Sequence, residues 1–470
     1  MSTHEPAAAA DPTSRHRGPR FPLYVQVIVA VIAGSILGVA FGKDQPYLFG
    51  ISNATLGALG MLVIKLLRAL AVPLVLFAIL DAFVKTRIAA RSAARLLLIC
   101  LVNVSVAMGI GLLIMNTVRP GDTWRGHIDE IRAAVKPSEV TAKKSDDPDA
   151  PPGATLELLP NLEYYVPKSL IRPLVYNNII SVVLLAVLAG AAIRAVQEKQ
   201  AREGQTSIRA LGDVIEATYH VFIQMLEWVV ACVPYAVFGV VAQVVGGAGL
   251  NVFKALWVFL AIVLAGLAIH SLIYYPLVAW LVGRKPPREY LGKGADAILT
   301  GLSMNSSLAT VPITLRSLER MRVRPAPARL AACVGTNLNN DGITLYEAMA
   351  AIFLAQAIGM NMALGQQFTV VVAAIFAGAG VAGIPEAGLI VLPLVLGAAG
   401  LPEEMVAIAL PLLLPVDWII ARARSGVNVM SDMLVAILLD RFDTDSPPFA
   451  ETGVVEPGAE EPSALAEPAA

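Results

Sequence analysis

The chain has 470 residues, 35 of them basic and 36 acidic, for a formal net charge of −1; 56% are hydrophobic, only 15% are charged, and the mean hydropathy is +0.68. A soluble domain carries about 25% charged residues, so this surface belongs largely in a membrane. The balanced charge excludes a basic nucleic-acid binder, whose phosphate contacts need clustered Lys and Arg.

Residues 1–20 are rich in Ala and Pro, end in Arg15, Arg17 and Arg20, and read as a solvated, disordered cytoplasmic tail. The apolar run from Phe21 to Phe41 has about the 20 residues that span hydrocarbon. A signal peptide is the alternative, but no small-residue cleavage site closes the run. Further runs at 56–84, 93–118, 169–196, 214–245 and 252–283 make six spans in residues 21–283, each long enough to cross a core of about 30 Å. Loops bearing Lys85, Arg87, Arg91 and Arg95, then Arg194, Lys199, Arg202 and Arg209, then Arg284, Lys285, Arg288 and Lys293, are cytoplasmic by the positive-inside rule. The Pro- and Asp-rich loop 120–167 is external, and residues 442–470 form a second disordered cytoplasmic tail. Cys100, Cys232 and Cys333 lie in or beside apolar runs and supply no disulfide framework and no CxxC metal site.

From residue 284 to 441 the apolar segments are interrupted in their middles, by GLSMNSSLATVP at 301–312 and by GAGVAGIPEAG at 378–388. Irregular backbone cannot face lipid, where each unsatisfied amide costs several kcal/mol. Two such breaks in matching positions point to a transporter site built from re-entrant helical hairpins, at about 289–320 and 367–402. Between them, Asn339, Asp341 and Gly342 combine oxygen donors with a helix-breaking glycine at membrane depth, which suits a hard cation. The bland reading is an Asn/Asp cap between two shorter helices. The last apolar segment carries Asp417, Arg424, Asn428 and Asp432 at spacings of seven, four and four, which is one polar stripe of a helix. Such a stripe suits an anion held by the guanidinium fork, with an acid nearby for a cation. Its alternative is a packing ion pair of Arg424 with Asp417 or Asp432. Lys65 and Arg68 read as snorkelling or paired with Asp81, Glu227 and His270 as locally satisfied groups, and Glu347 as lying on another face than Asp341.

Several motifs in order resemble the dicarboxylate/amino acid:cation symporters, the family of the glutamate transporters. Asn339-Asn340-Asp341-Gly342-Ile343 is similar to the family's NMDGT, AGIPEAG at 382–388 to the second hairpin's AGIPxAG, LAVPLVL at 70–76 to VVPLVF, and Asp417 through Asp432 to the last helix's DWxxDRxRTxxNVxxD. The resemblance implies an all-α polytopic membrane protein with eight transmembrane helices and two re-entrant hairpins in inverted repeats. It also implies a homotrimer in the inner (plasma) membrane whose hairpin-bearing core, 284–441, moves as an elevator against a scaffold drawn mainly from 21–283. It makes Arg424 a carboxylate clamp, has Asn428 and Ser307 hold the other end of the substrate, and adds Ser306, Ile384, Gly388, Ala421 and Ser425 to the substrate site. Asn339, Asp341, Asn428 and Asp432 become cation contacts, with sodium at Asn339, Asp341 and Asp432.

Ala421 stands where amino-acid transporters of the family carry an Asp for the substrate's ammonium. Ile343, Leu308 and Asn103-Val104 are further departures, the first two making the pocket less polar and the third removing hydroxyls from one sodium site; Arg422 adds a charge that favours a second carboxylate. The expected function is therefore sodium-coupled symport of a small dicarboxylate, with no catalysis and no cofactor beyond the coupling ions. Proton-coupled transport of amino acids or other organic anions, or an anion channel or sensor on the same fold, are the alternatives.

Overall fold

A computed structural model describes residues 23–47, 50–85, 90–125, 169–176, 179–250, 252–379 and 387–442. The two expected tails, most of the 120–167 loop and the tip of the second broken segment, Ile384 included, lie outside the described residues.

Among the described residues every regular element is helical. The first part runs α1 (Leu23–Phe41), α2 (Asn53–Lys85), α3 (Ala90–Val118), α4 (Arg172–Val175), α5 (Ile179–Arg202), α6 (Ile208–Ala231), α7 (Val233–Ala248), α8 (Val252–Ala268) and α9 (Tyr275–Leu281). The second runs α10 (Pro287–Met304), α11 (Ser307–Arg320), α12 (Pro325–Arg329), α13 (Asp341–Ala357), α14 (Leu364–Ala379), α15 (Ala387–Ala398) and α16 (Glu403–Phe442). Helical stretches Asn53–Val84, Arg91–Val118, Ser181–Arg202 and Leu256–Leu281 are long and apolar enough to cross a membrane, and α6 with α7 adds a fifth when taken as one bent span.

One run expected to be continuous is bent at a proline, and two others carry irregular turns near one. The 214–245 run is two helices bent by 42° at Cys232, because Pro234 has no N–H to donate and its ring crowds the preceding turn. The 252–283 run contains a π-helical turn, Ile269–Tyr274, just before Pro276. In the 169–196 run a single turn at Arg172–Val175, with Pro173 near its start, precedes the long helix. The loop expected to be external from residue 120 does not begin in solvent: Pro120–Trp124 is a 3-10 turn whose Trp124 is buried edge-on against Phe353 of α13.

Packing divides the helices. α1, α2, α5, α6 and α7 pack on one another, with α7 lying along both α1 and α2. α3 and α8 pack instead on α13 and α16, together with α10, α11, α14 and α15. α13 is central to this second group, and every one of its side chains from Asp341 to Ala357 is buried. Close approach in the first group depends on small residues: a Cβ on Gly38 would meet the Ala242 carbonyl at 2.8 Å and the Gly246 nitrogen at 2.9 Å. Membrane helices associate by such backbone-to-backbone packing, since lipid offers no hydrophobic drive to separate them from it. Gly38→Leu should therefore cost about 2 kcal/mol through overpacking, read as a lower melting temperature of the solubilised protein.

Candidate functional site

On α16 the expected polar stripe is a buried one: Asp417, Arg424, Asn428 and Asp432 are each no more than 2% exposed. Arg424 donates from Nη2 to Asp417 Oδ2 at 3.2 Å, and its guanidinium carbon lies 4.3 Å from the ring centre of Tyr346 on α13. The ion pair along the helix thus exists alongside any further role. Two glycines let other elements close on Arg424, one against its backbone and one against its guanidinium. A Cβ on Gly342 would come within 2.7 Å of the Arg424 carbonyl, and one on Gly388, in the first turn of α15, would overlap Nη1 of Arg424. A bulkier residue at 388 would push the start of α15 off the guanidinium, and one at 342 would push the start of α13 off the backbone of α16.

The segment before α13 leaves the α-helix in steps, through a π turn at Leu330–Val334 and a 3-10 turn at Gly335–Asn337. It breaks at Asn339 and Asn340, so α13 begins with Asp341 in its first turn, where a carboxylate is favoured by the helix dipole. Asp341 Oδ2 accepts from Tyr275 Oη and Ser431 Oγ, both at 2.8 Å, and His270 Nε2 stands 3.5 Å away. Asn339 donates from Nδ2 to Ser431 Oγ at 2.7 Å and faces Asp432 Oδ1 at 3.5 Å. The other oxygens, Asn339 Oδ1 and Asp341 Oδ1, are buried and accept no hydrogen bond among the described residues. Donor-rich on one side and bare on the other, this oxygen set has the chemistry of a site for a hard monovalent cation. No group of three or more His, Cys, Asp and Glu suited to a metal ion occurs among the described residues.

The break between α10 and α11 approaches from the opposite side. Asn305 ends α10 in the left-handed region, with φ of 52°, and Ser306 caps α11 by accepting from the Ala309 N–H at 3.2 Å. Ser307 Oγ accepts from Thr336 Oγ1 at 3.1 Å, and Ser425 Oγ donates to Asn305 Oδ1 at 3.2 Å. Ser306, Ser307 and Ser425 are therefore brought beside the turn before α13 and the stripe of α16. Asn428 is joined there too, its Oδ1 accepting from Gly342 N–H at 2.9 Å.

Ala421 is buried one turn before Arg424, and Ile343 is buried in the first turn of α13. Arg422 turns along its own helix, donating to the Trp418 carbonyl at 3.0 Å and lying 5.9 Å from the Trp418 ring centre. His270, expected to be satisfied by a neighbour, has its Nε2 3.5 Å from Asp341 Oδ2. Tyr275, Tyr346, Ser431 and Thr336 were not singled out by the sequence. A usable signal existed for the first: IHSLIYYP packs a His and two Tyr into an otherwise apolar run. Glu347 is fully buried on α13, and neither of its carboxylate oxygens has a hydrogen-bond partner among the described residues.

The profile of the sodium:dicarboxylate symporter family matches residues 23–442. Among characterised proteins, excitatory amino acid transporter 3 of Mus musculus is 26% identical over 94% of this chain and 90% of its own length. A putative sodium-dependent excitatory amino acid transporter of Caenorhabditis elegans, glt-4, is 25% identical over 82% of each chain. Excitatory amino acid transporter 1 of Homo sapiens is 40% identical over 38% of this chain and 33% of its own.

The buried pair yields a double-mutant test. Arg424→Met or Asp417→Leu alone should each destabilise the protein by about 3–5 kcal/mol by stranding a buried charge, while the two together should recover most of that loss. Denaturation of the purified protein in detergent measures it.

Proposed function

The chain belongs to the sodium:dicarboxylate symporter family, and we propose that it uses sodium entry to drive uptake of a small dicarboxylate without an amino group across the plasma membrane. The single observation that carries the substrate class is the buried guanidinium of Arg424 with the methyl of Ala421, rather than an acid, one turn before it. A carboxylate can take the planar fork of Arg424. An ammonium group in the same desolvated space would lack a counter-charge, a penalty of about 3–5 kcal/mol.

In this reading Arg424 clamps one carboxylate, stiffened by Asp417 and Tyr346. Ser306, Ser307, Ser425 and Asn428 hold the rest of the substrate, and Gly388 lets the start of α15 close against the clamp. Sodium takes Asn339 Oδ1 and Asp341 Oδ1, with Asp432 nearby, and Asn428 stands between the two sites. The α10–α11 and α14–α15 pairs act as the two re-entrant hairpins of an eight-span fold. The group containing α3, α8 and α10–α16 travels as an elevator against α1, α2 and α5–α7, which hold a homotrimer with both termini cytoplasmic. The two-group packing supports that division.

The relatives' names favour a second reading, an amino acid as cargo. Uptake of succinate and aspartate into proteoliposomes under an imposed sodium gradient separates the two. Succinate should accumulate against its gradient and aspartate should not; the reverse would overturn the inference from Ala421. Asp432→Asn should raise the half-saturating sodium concentration about tenfold while leaving the order of substrates unchanged, measured by sodium titration of the same uptake. An unchanged titration would remove Asp432 from the cation site.

A further inference from the structure

Asn340 is buried at the break before α13, between the candidate cation residues Asn339 and Asp341, and its amide reaches two other elements. Its Nδ2 donates to the Gly378 carbonyl near the end of α14 at 2.9 Å, and its Oδ1 accepts from Asn428 Nδ2 at 3.0 Å. Asn428 Oδ1 in turn accepts from Gly342 N–H at 2.9 Å. The two ends of this relay fix its direction. A backbone N–H requires an oxygen at Asn428, which turns the Asn428 NH2 to Asn340; a backbone carbonyl requires the NH2 of Asn340. Neither amide can flip without placing donor against donor or acceptor against acceptor in a buried setting.

We propose that Asn340 is a positioning residue that sets substrate specificity through Asn428. It holds one of the two Asn428 N–H groups, while Gly342 occupies the Asn428 oxygen. Asn428 then shows the substrate one N–H, and its oxygen keeps only the lone pair that Gly342 leaves. A ligand oxygen therefore finds one N–H instead of two, and a ligand group that must donate, such as an ammonium, meets an oxygen already shared with a backbone N–H. This selection works in the same direction as the methyl of Ala421, from a different helix, and it rests on the proposed role of Asn428 in holding the substrate.

The test uses the full-length chain and Asn340→Met, which fills the space without an amide. Dissociation constants for succinate and for malate, which adds a hydroxyl beside one carboxylate, are measured by calorimetry in saturating sodium. Releasing the second Asn428 N–H should raise the malate-to-succinate affinity ratio about fivefold, the worth of one neutral hydrogen bond. A role confined to stability, or to holding Gly378, would weaken both ligands together and leave the ratio unmoved. An unchanged ratio in a variant that still binds both ligands overturns the inference and leaves the dicarboxylate reading standing. Asn340→Thr, whose hydroxyl stops short of Asn428, is the second variant should Met disturb folding, and it should move the ratio the same way. Binding of neither acid by the unaltered chain would overturn the substrate class and this inference together, a result distinct from an unchanged ratio.

Discussion

A charge taken out of water must be matched within the protein, and within a membrane no solvent shell lies close enough to share the cost. Asp341, Asp417, Arg424 and Asp432 are all buried, at 2% exposure or less, and much of the second half of the chain is arranged around them. α13, which begins at Asp341, is buried along its whole length. Tyr275 reaches Asp341 from α9, Ser431 from α16 and His270 from the π turn between α8 and α9. That turn widens the helix where His270 lies flat against Tyr274, with ring centres 5.0 Å apart and planes within 12°, and Tyr274 donates to Asn103 of α3 at 3.0 Å. A π turn at such a point fits the habit of these insertions to sit at functional positions.

The same constraint explains why the irregular backbone lies where it does. Breaks at Asn305 and at Asn339–Asn340 free main-chain groups that lipid could not satisfy. Side-chain amides and hydroxyls from neighbouring elements stand beside them: Ser425 on the Asn305 side chain, Ser431 on the Asn339 side chain, Asn428 on the Gly342 N–H of α13. Each break is therefore held by the stripe of α16, so that helix is both the source of the guanidinium and the frame for the other two elements. Arg424 itself is held on three sides, by Asp417, by the Tyr346 face and by the close approach of two glycine-bearing helix starts.

What the sequence disclosed followed from how strongly each feature violates its surroundings. A charge inside an apolar run is expensive wherever it lies, so Asp341, Arg424 and Asp432 were visible without a structure, and the seven-four-four spacing put Arg424 and Asp432 on one face of their helix. The break at 301–312 was visible because Ser and Asn are costly at membrane depth. The division of helices was less legible. α3 is as apolar as α2, and nothing in its hydropathy says that it packs on α13 rather than with α2 and α7; that is decided by shape, at contacts such as Gly111 against Leu345 and Met349. Trp124 shows the converse error: in a Pro-rich run it reads as loop, yet the 3-10 turn delivers it to the core. Tyr275 and Tyr346 escaped because a tyrosine in an apolar run violates little, its hydroxyl needing only one partner at the end of a ring that packs well.

In the proposed symport, coupling between ion and substrate requires that occupancy of one site change the free energy of the other, and the shortest physical route between the two candidate sites is the first turn of α13. Asn339 and Asp341 hold the bare oxygens, Gly342 presses on Arg424, and the Gly342 N–H is taken by Asn428. A cation drawing Asn339 and Asp341 together acts on the same few residues whose backbone sets the position of Asn428 and the wall behind the guanidinium. The Gly at 342 is what makes that route short, since any side chain there would separate α13 from α16 by the width of a methyl group. Asn340 lies on the same turn and extends the route to α14 through Gly378, so that the turn carrying the candidate ion residues, the proposed substrate amide of Asn428 and the end of α14 are joined by one relay of hydrogen bonds. Dissecting it by removing Asp341 would lose the charge and the geometry at once; the amide at 340 can be replaced with the charges intact, which makes it the position where specificity and coupling can be separated.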